Sequence, residues 1–142
     1  MIENTPLFVL DSFALLAFFQ AEPGDLKVRE LLERSQRGEI RLAVTAVNLG
    51  EVAYRTERVF GLERAQEVLA KIEEYAPAVI DVDRELALAA AHLKARYRMS
   101  YADCLAAALA QRLGAAVITG DPDFRQLEDQ VAVEWLPVTE AQ

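Results

Sequence analysis

Five carboxylates stand at places in this chain where packing alone gives little reason for a charge. Asp11 directly follows the apolar run "LFVL", Glu51 lies within "NLGEVAYR", Asp103 lies within "SYADCLAAALA", and Asp121 and Asp123 bracket a proline in "TGDPDF", Thr119 to Phe124. Were they to converge, they could not all remain ionised and close together without a counter-charge, because neighbouring like charges push each other's pKa upward. A divalent cation supplies that charge. An oxygen-only donor set, with no histidine or cysteine cluster, suits Mg²⁺ or Mn²⁺ and disfavours zinc. His92, the sole histidine, sits in "LALAAAHLKARY" and reads as a structural or surface residue, and Cys104, in an alanine-rich stretch, reads as core. With one histidine and no nucleophile evident beside it, Ser-His-Asp or Cys-His covalent catalysis has little support.

Each acid also has a plainer reading. Asp11 can cap a helix beginning at Ser12, and Asp121 can cap one beginning at Pro122, since proline favours the first helical position. Asp103 stands three residues after Ser100, the spacing of a capping box, and suits the positive end of a helix dipole. Glu51 is the hardest to explain structurally, lying among Leu49, Val52 and Ala53, although a surface pair with Arg55 four residues on is open to it.

The elements that must position these residues follow from the patterning. "LFVL" (7–10), "IRLAV" (40–44), "AVIDV" (78–82), "AAVIT" (115–119) and "VAVEWL" (131–136) read as strands. Between them lie helical patterns: "SFALLAFFQ", "DLKVRELLERSQRG", "AVNLGEVAYRTERVF" capped by Thr45, "LERAQEVLAKIEEY" between Gly61 and Pro77, "RELALAAAHLKARY", "YADCLAAALAQRLG" and the short "DPDFRQL". Strands that are continuous apolar runs alternating with helices indicate a mainly parallel sheet covered on both faces, a three-layer α/β/α sandwich. In such folds ligands bind beyond the carboxyl ends of the strands, where Asp11, Asp121 and Asp123 fall.

At 142 residues and 53% hydrophobic composition, the chain is expected to form one domain with a substantial core, spanning residues 1–142. A single cysteine makes no internal disulfide, and "MIENTPLFVL" carries acid where a secretory signal has positive charge, so the cytoplasm is expected. The longest early apolar stretch, Phe13 to Phe19, is far shorter than the ~20 residues of a membrane helix. The formal net charge of −8 argues against broad electrostatic binding of nucleic acid. Setting the five candidate acids aside, however, leaves 18 acidic against 15 basic residues, a net of −3, and a bound cation would turn the cleft from repelling phosphate to attracting it.

Taken in order and spacing, "LDSFALLAFF", "NLGEVAYR", "SYADCLAAALA" and "TGDPDF" resemble the four acidic motifs of the PIN-domain nucleases, and the small single-domain form is similar to the VapC toxins of prokaryotic toxin–antitoxin pairs. The resemblance runs from the first strand to the last. It implies a PIN-like fold and a Mg²⁺- or Mn²⁺-dependent ribonuclease, made as a homodimer and silenced by a cognate antitoxin that covers the active site. On it, Asp11, Glu51, Asp103 and Asp121 fall on the metal-binding acidic quartet, Asp123 on an accessory acid, and Thr119 on a supporting hydroxyl. The sequence departs at the first motif, where Ser12 precedes Phe13 although many members carry a small residue and then serine or threonine. Ser12 is therefore a weaker candidate for support than Asp11 is for chemistry. The expected mechanism is hydrolysis by a cation-activated water attacking the phosphodiester in line, with no protein nucleophile.

Beyond the acids, "LKARYRMSY" places Lys94, Arg96 and Arg98 beside Tyr97 and Tyr101, just ahead of Asp103, and basic residues interleaved with aromatics suit an RNA path. A solvated helix end with cations near its C-terminus explains the same pattern. Apolar positions in "FALLAFF", "VRELLE" and "VLAKIEEY" offer either core or a partner surface. Two other classes stay open. A haloacid-dehalogenase-type phosphotransferase needs an acid two places after Asp11, where Phe13 stands, and a catalytically silent PIN-like binding module would show no dependence on Mg²⁺ or Mn²⁺.

Overall fold

In the computed structural model, which describes residues 5–138, five strands form one sheet in the order β3-β2-β1-β4-β5, every neighbouring pair parallel. The strands are β1 (Leu7–Leu10), β2 (Arg41–Thr45), β3 (Ala78–Ile80), β4 (Ala116–Thr119) and β5 (Val133–Trp135). The helices are α1 (Ser12–Phe19), α2 (Asp25–Gln36), α3 (Ala46–Phe60), α4 (Leu62–Tyr75), α5 (Arg84–Arg96) and α6 (Tyr101–Leu113), with a 3-10 helix over Pro122–Leu127. The expected α/β/α sandwich is thus the observed architecture. The expectation about the N-terminal leader falls on residues 1–4 as well, which lie outside the described residues. No helix among the described residues is long and apolar enough to cross a membrane.

Side-chain alternation along the strands divides the core in two. Val9, Ala43 and Val117 point to the layer of α5, α6 and the 3-10 helix, where they pack with Leu86, Leu105, Leu109 and Phe124. Their neighbours Leu10, Leu42, Val44 and Ile118 point to the other layer, against Leu15, Leu32, Val52, Val68 and Ile72 of α1 to α4. Both faces are therefore covered, which is why the strands read as unbroken apolar runs. The early helices spend their apolar residues on this core: Ala14 to Ala17, Leu31, Leu32, Val68 and Ile72 are buried. Exposed apolar side chains collect instead where α3 meets α4, at Val59, Phe60 and Leu62.

Strand order makes the carboxyl ends of β1 and β4 special. The chain leaves β1 toward β2 and β3 on one side, and after α5 and α6 it returns to β4 on the other. The crevice between them is a topological switch point, where no crossover helix blocks the sheet edge. Val9 pairs with Val117 and Leu10 with Ile118, so Asp11, following Leu10, stands beside the segment that runs from Thr119 to Asp121.

Candidate active site

Asp11 is wholly buried at this switch point. Its Oδ1 caps α1, accepting the Ala14 N–H at 2.8 Å. Its Oδ2 is buried with no hydrogen-bond partner. An unpartnered carboxylate oxygen in such a place is costly if ionised. Burial accordingly pushes the Asp11 carboxyl up to about 8, with Asp103 and Asp121 raising it further and the Ala14 N–H and the neighbouring Thr119 hydroxyl holding it down. Thr119 lies beside Asp11 without making a formed hydrogen bond to Oδ2; its Oγ1 accepts the Asp121 N–H at 3.0 Å.

Asp103 enters from α6, whose first turn is set by Ser100: the Ser100 Oγ accepts the Asp103 N–H at 3.1 Å. Burial pushes this carboxyl to about 6, followed by the charges of Asp121, Glu51 and Asp123. Asp121 caps the 3-10 helix by accepting the Asp123 N–H on Oδ1 at 2.9 Å. One carboxylate oxygen from each of Asp103, Asp121 and Asp123 lies within 4.8 Å of the others. Glu51 and Asp11 are not in that tightest group. Glu51 lines the same cleft from α3, and Asp11 lies beneath it, coupled to Asp103 and Asp121. The capping readings and the cluster are thus both present: the same geometry that starts α1, α6 and the 3-10 helix turns their carboxylates toward one place.

The cleft has a volume of about 260 Å³ and is lined by Ser12, Phe13, Glu51, Arg55, Ser100, Asp103, Asp121 and Asp123. Roomier hollows of about 480 Å³ exist, one near the amino ends of the strands around Leu7, Arg41 and Ala78, but they carry no comparable set of carboxylates. The donors fit a hard divalent cation: they are all oxygen, three present oxygens within 4.8 Å of one another, and a fourth presents an orphaned buried oxygen. His92 is exposed and Cys104 is buried in the core, as their sequence contexts suggested.

Beneath the acids lies a buried polar latch that the sequence reading did not assign. The Asn48 Nδ2 donates to the Ser12 hydroxyl at 3.1 Å and to the Ala102 carbonyl at 3.3 Å, and the Thr45 hydroxyl donates to Asn48 Oδ1 at 2.6 Å. Ser12 in turn donates to the Asn48 carbonyl at 3.2 Å. Asn48 therefore ties α1, α3 and α6 together one residue away from Asp11 and Asp103. A polar residue three places after the Thr45 cap, inside the quoted "NLGEVAYR", was the available signal.

The basic stretch is placed differently from the acids. None of Lys94, Arg96, Arg98 or Tyr101 lines the cleft. The Arg96 guanidinium lies over the Tyr97 ring, Tyr101 donates to the Ala87 carbonyl at 2.7 Å, and the backbone of Arg98 is bonded to Gln126. Arg55, weighed only as a surface partner for Glu51, is the cation on the cleft wall.

A fully parallel α/β/α sheet with carboxylates gathered at its switch point defines the class of this protein. The PIN domain family model matches residues 8–130, and the chain belongs to the PIN domain family. No curated protein sequence matches. Among solved structures, VapBC2 of Rickettsia felis bound to a promoter DNA fragment shares 18% identity over 92% of this chain and 99% of its own, with a TM-score of 0.70. VapC20 of Mycobacterium tuberculosis, a toxin that cleaves the sarcin-ricin loop, shares 19% over 92% and 99%, with a TM-score of 0.71. VapBC-5 of the same organism, from the VapBC family of toxin–antitoxin systems, shares 24% over 93% and 98%, with a TM-score of 0.59. The fold of this chain is that of the VapC toxins.

Proposed function

We propose that the protein is a Mg²⁺- or Mn²⁺-dependent ribonuclease that hydrolyses RNA phosphodiester bonds, and the toxin of a toxin–antitoxin pair. The observation that carries this reading is the convergence of Asp11, Glu51, Asp103, Asp121 and Asp123, from four separate stretches of the sequence, around one cleft at the β1/β4 switch point. Structural kinship with VapC20 supports RNA as substrate, and kinship with VapBC structures supports a cognate antitoxin. On the same reading the protein is a cytoplasmic homodimer, and Val59, Phe60 and Leu62 offer apolar surface to a partner chain.

When bound, a divalent cation supplies charge neutralisation and a more acidic water. Asp11 and Asp103 are assigned as its direct ligands, with Glu51 and Asp121 completing the set directly or through water. Asp123, the most exposed of the Asp103, Asp121 and Asp123 group, is assigned to orient the attacking water. Ser12 and Thr119 act behind them, Ser12 by holding α1 to α3 and Thr119 by fixing the Asp121 backbone.

The test is cleavage of a mixed RNA substrate by purified protein, with Mn²⁺ or Mg²⁺ and with chelator, comparing the unsubstituted protein with Asp11→Asn and Glu51→Gln. Metal-dependent cleavage that falls at least a hundredfold in both folded variants is expected. Equal cutting by the variants, or no cutting with either metal, would overturn the reading in favour of a contaminant or a silent module.

A further inference from the structure

A cleft walled by carboxylates repels a phosphodiester until a cation is bound, and a basic side chain on its wall would add to the attraction that the cation supplies. Arg55 is the basic side chain among the residues lining it. Its contact with Glu51, Nη1 to Oε2, is 3.9 Å, well beyond the roughly 2.7–2.9 Å of a charge-assisted hydrogen bond. The guanidinium makes no hydrogen bond to any described residue, and its side chain is 55% exposed against 18% for Glu51. A planar fork of five donors, held at the mouth of the cleft by one loose electrostatic contact, matches two oxygens of a phosphate.

Other arginines are differently engaged. Arg112 makes a two-pronged pair with Asp83, Arg37 is bonded to Glu39, and Arg41 donates to the Thr5 carbonyl. Arg58, one turn beyond Arg55 on α3, lies over the Tyr54 ring and does not line the cleft. Helical spacing explains the placement of Arg55: four residues after Glu51, it stands one turn further along the same face, so the helix that delivers an acid to the site also delivers a donor to its rim.

We propose that Arg55 binds the non-bridging oxygens of the phosphodiester entering the cleft, which makes α3 rather than the segment of Lys94, Arg96 and Arg98 the substrate-receiving wall. This assignment rests on the ribonuclease reading above. It is tested by fluorescence anisotropy with a labelled single-stranded RNA oligonucleotide in Mg²⁺ buffer over a range of salt concentrations. An Asp11→Asn background suppresses cleavage, and the variants are Arg55→Gln, Arg55→Lys and, as a charge-matched control off the cleft, Arg58→Gln.

Losing one phosphate contact should lower the slope of log K against log salt by about 0.7, and Arg55→Gln should show this together with binding about tenfold weaker at low salt. Arg58→Gln should move the slope by less than half as much. Arg55→Lys should keep most of the slope, because the charge remains, while steady-state cleavage without the Asp11 substitution falls through loss of the two-pronged contact. A slope unchanged by Arg55→Gln, or changed equally by Arg58→Gln, overturns the assignment while leaving the nuclease reading intact. A background protein that binds no RNA, joined by an unsubstituted protein that cuts none, overturns both.

Discussion

At the scale of the residue, Asp11 stands out among the described residues: a fully buried carboxyl with one oxygen capping α1 and the other unpartnered. Its folded pKa is about 8 against an ordinary value of 3.8, so between those two pH values the folded metal-free protein holds a proton that the unfolded chain has released. The stabilising contribution is full below about pH 4 and declines as pH rises, until it is lost above the folded value. Asp103 acts in the same direction, over a window from 3.8 to about 6. Urea unfolding in chelator should therefore show stability falling by a few kcal/mol from pH 5 to pH 8 through these groups. Asp11→Asn should flatten much of that slope and stabilise the metal-free protein at pH 8. Mn²⁺ should raise the melting temperature far more at pH 8 than at pH 5, because protons and cation compete for the same oxygens.

At the scale of the element, the helices that carry the acids are fastened by side chains that sequence patterning could only partly expose. The caps were legible: Asp11, Thr45, Ser100 and Asp121 each accept the N–H expected of them, because capping is local and depends on spacing alone. Strand ends were less so. "AVIDV" suggests a strand to Val82, but Ile80 pairs with Thr45, after which β2 turns into α3 and leaves Asp81 and Val82 nothing to pair with. The Asn48 latch was hidden for a similar reason, since its partners Ser12 and Ala102 are 36 and 54 residues away. Asn48→Ala removes three bonds and leaves the buried Thr45 hydroxyl without its acceptor, which should cost about 2–3 kcal/mol by denaturant unfolding. Ser100→Ala, a cap alone, should cost about 1 kcal/mol.

At the scale of the whole molecule, the site exists because five strands are ordered so that β1 and β4 lie side by side. The alternation of apolar runs and helices was enough to expect a parallel sheet and a reactive edge, and the ordered acids were enough to expect their meeting. Which cation would face the cleft was not, since Arg55 and the basic stretch around Arg96 differ only in where distant helices come to rest. Phe124 shows how the whole fold enters the chemistry: wholly buried among the side chains of the α5–α6 layer, it anchors the 3-10 helix that carries Asp123 and is capped by Asp121. Phe124→Ala should cost about 3–5 kcal/mol. RNA cleavage should fall by more than the loss of folded protein explains, a comparison made by measuring both on one preparation.

Gly120, between Thr119 and Asp121, has no room for a side chain: an added Cβ would come within 2.4 Å of the Phe13 ring and 3.0 Å of Val138. Two segments more than a hundred residues apart are thereby bound to a shared history. Alanine at position 120 meets the edge of the Phe13 ring and is accommodated more easily where position 13 is smaller, so Phe13→Leu opens a path that Gly120→Ala alone does not. Made singly, Gly120→Ala should lower the melting temperature, and made with Phe13→Leu it should recover most of the loss. The order of those two steps is a prediction about ancestry written in the contact between a ring and a backbone.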